Sequence, residues 1–124
     1  ENSINFYSAD KDTIVVIEYD TKDNLEFDYA RRKIIFESCS YFMKSSFPGP
    51  VPNIENISDR PSESLGDLVE FPSSQFAKKW NEHYARSGDP YSSLKYYEVS
   101  FMSENILLRV IAENVILTKE EFFN

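Results

Sequence analysis

The longest apolar, β-prone stretch of the chain is Leu94 to Thr118. Tyr97, Val99 and Phe101 alternate there with Tyr96, Glu98 and Ser100, the two-residue period of a half-buried strand. Met102 to Asn105 interrupts with polar residues. Ile106, Leu108, Val110 and Ala112 then take one face, and Leu107, Arg109, Ile111 and Glu113 the other. The pattern predicts a β-hairpin near the centre of a sheet. Upstream, Thr13 to Tyr19 is β-branched on both faces and predicts a well-buried strand. Leu25, Phe27 and Tyr29 alternate with Glu26, Asp28 and Ala30, predicting a strand with one wet, acidic face. Arg31-Arg32 reads as a tight connection into a third run, Lys33 to Tyr41, so that the three runs form an antiparallel meander. A helix from Ala30 to Met43 is the rival reading. Residues 1 to 12 hold a short edge strand around Ile4, Phe6 and Tyr7, and Leu68 to Phe71 forms another short strand.

One segment switches to helical spacing. Phe76, Trp80 and Tyr84 recur every four residues, with Lys78, Lys79, Glu82 and Arg86 on the other side. Pro72-Ser73-Ser74 supplies a start with a serine N-cap, and Gly88 suits the C′ position. This predicts a helix over Ser74 to Arg86 whose Trp80 stripe packs on the sheet. An irregular, proline-rich loop at about 44–66 holds Pro48, Pro50, Pro52 and Pro61, which fit neither a helix nor a central strand. Lys119 to Asn124 reads as a short tail or a last helical turn. The expectation is a mainly β (β-rich α+β) fold: an antiparallel bent sheet or half-barrel with one main helix packed on it, in a single domain over residues 1–124.

Composition narrows the function classes. Twenty-one acids against 13 bases give a net charge of −8. Glu1 to Ala30 holds Glu1, Asp10, Asp12, Glu18, Asp20, Asp23, Glu26 and Asp28 against Lys11 and Lys22. A second acidic block, with Glu55, Asp59, Glu63, Asp67 and Glu70, follows a basic patch at Arg31-Arg32-Lys33. No basic stripe exists to neutralise phosphates, so direct nucleic-acid binding is disfavoured and a basic partner favoured. No apolar run approaches the ~18 residues of a membrane span. The single cysteine, Cys39, allows no intrachain disulfide and suggests a reducing compartment.

Candidate chemistry is sparse. The only histidine, His83, has no sequence neighbour placed to share acid–base work on a helix. Cys39 reads as a structural thiol. Asp10-x-Asp12 and Asp20-x-x-Asp23 lack the glycine and terminal glutamate of a calcium loop, so solvated turn carboxylates are the default. No metal, phosphate-loop or dinucleotide motif occurs. The expectation is a protein that is not an enzyme and needs no cofactor. A small enzyme using carboxylates and His83, or an adaptor subunit, is the alternative.

The runs Tyr97-x-Val99-x-Phe101 with Val110-Ile111-Ala112-Glu113, and Ile35-Phe36-x-x-Cys39-x-x-Phe42 leading into Phe47-Pro48-Gly49, resemble strand pairs of small bacterial proteins encoded beside toxins. The acidic make-up is similar to that of immunity proteins of contact-dependent growth inhibition and other polymorphic toxin systems. That resemblance implies a cytoplasmic toxin inhibitor. Its partner would be one cognate toxin, a nuclease whose basic active-site cleft is covered. The partner-binding residues expected from the charge clusters are Asp20, Asp23, Glu26 and Asp28, with Glu55, Asp59, Glu63 and Asp67 in the loop. Tyr7, Phe47 and Tyr91 are the expected aromatic anchors.

Overall fold

The hairpin pattern at Leu94 to Thr118 folds as read. In the computed structural model, which describes residues 3–20, 26–46, 68–71, 74–88, 93–101 and 105–124, β6 (Lys95–Phe101) pairs antiparallel with β7 (Ile106–Ala112). Tyr97 lies opposite Val110 and Val99 opposite Leu108, so the predicted face is continuous across both strands. The strands are not half-buried as expected. Glu98 and Ser100 are also buried, so β6 is covered on both faces.

The chain divides into two compact units, Cys39–Asn114 and Glu1–Ser38 with Val115–Asn124. The strands correspondingly form two antiparallel sheets, with one helix among the described residues and no closed barrel. The mainly β, α+β expectation matches this architecture.

In the first unit, β4 (Tyr41–Ser46), β7, β6 and β5 (Leu68–Phe71) lie in that order. Tyr41, Ile111, Tyr96 and Phe71 align in one row across the four strands. Helix α1 (Gln75–Arg86) covers that row with Ala77, Phe76, Trp80 and Tyr84, so the aromatic stripe is core as predicted. The Phe76 ring meets Tyr41 and Tyr96 edge-on at 5.1 and 5.7 Å, contacts worth ~0.5–1.5 kcal/mol each beyond their buried area. Ser74 caps the helix by accepting from the Ala77 N–H at 3.0 Å. Gly88, at φ +100°, occupies the left-handed position after Ser87 that only glycine takes without strain. Asn81 donates to the Leu94 carbonyl and accepts from the Leu94 N–H at 3.0 and 2.8 Å, tying the helix to the residue before β6.

In the second unit the order is β1 (Ser3–Ala9), β2 (Asp12–Asp20), β3 (Tyr29–Glu37) and β8 (Asn114–Leu117), and β9 (Glu121–Phe123) also pairs with β3. Val15, Ala30, Ile34 and Phe36 are its most buried apolar residues.

Four local expectations are corrected here. Residues 26–28 are bent rather than extended, and the strand begins only at Tyr29. Arg31-Arg32 is not a connection but the middle of β3. Arg31 lies opposite Glu18 on one side and Glu121 on the other, and Arg32 Nε donates to the Thr118 carbonyl at 3.0 Å. The expected Lys33–Tyr41 strand breaks at Ser38, where φ is +49° and the N–H is taken by Asp12 Oδ1 at 3.0 Å. Residues 121–123 are a strand, not a tail or helical turn. The rival helix over Ala30 to Met43 is absent. The predicted edge strand β1 and the short strand β5 are both present. Lys44 to Ser46 belong to β4; the rest of the proline-rich segment, 47–66, lies outside the described residues.

Candidate interaction surface

One end of the β2–β3–β9 sheet assembles acids and aromatics by register. Asp20 lies opposite Tyr29, and Tyr29 opposite Phe123. The next row on the same face is Glu18, Arg31 and Glu121. Tyr29 and Phe123 stack at 5.3 Å, and the Arg31 guanidinium sits 4.6 Å from the Phe123 ring centre. Arg31 Nη2 also donates to Glu18 Oε2 at 3.3 Å. Arg31 is thus held by the Glu18 carboxylate and the Phe123 ring, and the rows carry three acids to one base. Phe27 stacks on Phe122 at 5.5 Å, and the Asp28 N–H donates to the Phe123 carbonyl at 2.9 Å. Phe122 remains 40% exposed beside the exposed Glu26 and Asp28.

Of the residues expected to bind a partner, Asp20, Glu26 and Asp28 lie in this region and are exposed. Glu26 and Asp28 do not share a strand face, because their segment is bent. Asp23, Glu55, Asp59, Glu63 and Asp67 lie outside the described residues, as do Phe47 and Tyr91. Tyr7, on β1, is exposed. Sequence reading missed Glu121, Phe122 and Phe123. The alternation Glu121-Phe122-Phe123 is too short to distinguish a strand from a tail, and only its pairing to Tyr29–Arg31 fixes its direction.

The remaining chemistry is dispersed. Among the described residues no three His, Cys, Asp or Glu side chains converge on a potential metal site. His83 is exposed on α1 and meets Trp80 and Tyr84 edge-on at 6.4 and 5.5 Å. The Cys39 thiol donates to the Tyr41 carbonyl at 3.4 Å. Burial, assisted by the charge of Glu70, pushes the Tyr97 phenol up to about 12. Glu98 and Arg109 form a buried pair at 3.8 Å, and the Tyr96 hydroxyl donates to Glu98 Oε2 at 2.7 Å. A groove of about 440 Å³ beside α1 is lined by Glu70, Glu82, Lys78 and Lys95 over Phe71 and Leu94. Its two acids and two bases leave no net field to select a charged ligand. Among the described residues no helix is long and apolar enough to cross a membrane.

No family model matches this chain, and no curated protein or solved structure matches it.

Proposed function

We propose that this chain is an immunity protein: a binder, not an enzyme, that neutralises a cognate bacterial toxin of the contact-dependent or polymorphic type. The partner is a basic nuclease domain. The chain lays an acidic surface over the substrate cleft and takes the place of nucleic-acid phosphates. It acts in the cytoplasm, where the toxin's substrate lies. The observation that carries the reading is the sheet end where Asp20, Glu26 and Asp28 stand exposed, with Glu18 and Glu121 opposite Arg31 in the register and the exposed Phe122 stacked on Phe27 between Glu26 and Asp28. Acids steer a basic partner and raise its association rate, while a desolvated aromatic ring supplies the anchor that charge alone lacks. An enzyme using His83 is the second reading; the side chains shown against His83 are the rings of Trp80 and Tyr84.

The test is charge reversal of Asp20, Glu26 and Asp28 to lysine, assayed with the protein encoded by the neighbouring toxin gene. The expected result is a folded variant whose association is slower by at least about tenfold at low salt and whose protection of cells is lost. A folded variant that associates and protects like wild type refutes the acidic-surface mechanism.

A further inference from the structure

Sheet edges carry outward N–H and C=O groups, and native sheets guard them with charge, proline or brevity. The edge strands of this protein differ in that respect. β4 carries Lys44, β5 has four residues including Glu70, and β8 and β9 have four and three residues. β1 runs seven residues, Ser3–Ala9, at the end of its sheet, with neither charge nor proline. Among the described residues this is the least guarded edge, in a chain that is 27% charged. All but Ile4 and Ala9 of its residues are exposed, and Phe6 and Tyr7, on opposite faces, are each 46% exposed.

The two ends of this neutral edge are acidic. Asp10 and Asp12 follow Ala9 around the turn, with Lys11 between them. At the other end the exposed Asp20 stands beyond Glu18, which lies opposite Ser3 and is paired with Arg31 on its far side. We propose that β1 is a docking edge that accepts an extended strand of a protein partner by main-chain pairing. That strand is apolar or neutral along Ile4 to Ser8 and bears lysine or arginine beyond its ends. Charge selects this occupant over a second copy of the chain. Antiparallel pairing of two β1 strands about Phe6 would set the Asp10 end of each copy against the Ser3 end of the other, where Glu18 and Asp20 stand. Acids would face acids between molecules that each carry a net −8. The proposal rests on the inhibitor reading for the partner's basic charge, and adds where its backbone docks.

The probe is a synthetic peptide of alternating valine and threonine with a lysine pair at each end, added to the ¹⁵N-labelled full chain. The control has glutamates in place of lysines. The expected result is saturable binding of the lysine peptide, at least about tenfold tighter than the control, with slowed hydrogen exchange at alternate β1 amides. Asn5→Pro and Phe6→Pro are tested separately. Adjacent N–H groups point to opposite edges, so one of these prolines spares the β1–β2 ladder and removes an outward donor. That variant should keep its circular dichroism spectrum and lose the peptide. Absent binding, equal binding of both peptides, protection outside β1, or self-association through β1 each overturns the proposal. A folded proline variant that still binds the toxin at the wild-type rate overturns the docking edge and leaves the inhibitor reading standing. The charge-reversal variant, with β1 intact, tests that reading by itself.

Discussion

Replacing Arg109 with methionine should be among the most damaging single changes to the Cys39–Asn114 unit. Arg109 and Glu98 are 3% and 6% exposed, opposite each other on the two central strands. At 3.8 Å their attraction is worth about 4 kcal/mol with an effective dielectric near 20. That gain is offset in place. Arg109 Nε and Nη1 are buried without hydrogen-bond partners, and each unmade bond costs ~1–3 kcal/mol. The pair therefore adds little net stability, yet removing one member strands the other. Arg109→Met should leave the Glu98 carboxylate buried beside the Tyr96 hydroxyl, at a cost of ~3–5 kcal/mol. Glu98→Gln with Arg109→Met removes both charges and keeps an acceptor for Tyr96. This double variant should unfold within about 1 kcal/mol of wild type, or above it. Urea unfolding followed by Trp80 fluorescence reports on this unit, because Trp80 packs on its core. A single variant costing less than about 1 kcal/mol, or a double variant as unstable as the single, refutes the reasoning.

Leu108→Ala empties a fully buried central-strand position and should cost ~2–5 kcal/mol in the same titration. Ser74→Ala removes the bond to the Ala77 N–H and should cost about 1 kcal/mol, with Ser74→Gly recovering most of it. Tyr97 should ionise late in a near-ultraviolet absorbance titration, at about 12, and Tyr97→Phe should remove one tyrosine from that late step. The folded phenol holds its proton to higher pH than the unfolded one. Its contribution to stability is therefore intact below 10.0 and declines as pH rises toward about 12. Phe123→Ala takes the ring from both Tyr29 and Arg31, and should increase amide exchange in Glu121–Phe123 before it lowers overall stability.

The elements that local pattern determined are those whose stabilising partners are close in sequence. The β6–β7 hairpin needs only its own alternation and strands that follow one another closely in sequence. Helix α1 carries its cap, its stripe and its C-terminal glycine within fifteen positions, Ser74 to Gly88. β2 was legible because β-branched residues fill both faces. The elements misread depend on distant partners. Arg31-Arg32 resembles a turn until Glu18 and Thr118, 13 and 86 positions away, take up the guanidinium groups. The break at Ser38 depends on the Asp12 carboxylate, and β9 exists because Tyr29–Arg31 offers an edge. The candidate surface divides the same way. Composition alone set the sign of its charge, and the exposure of Asp20, Glu26 and Asp28 follows from their polarity. Their placement at one sheet end with Phe123 and Glu121 comes only from the return of the chain's last residues to β3. Cross-strand register is a long-range property, and no local period records which strand will lie alongside.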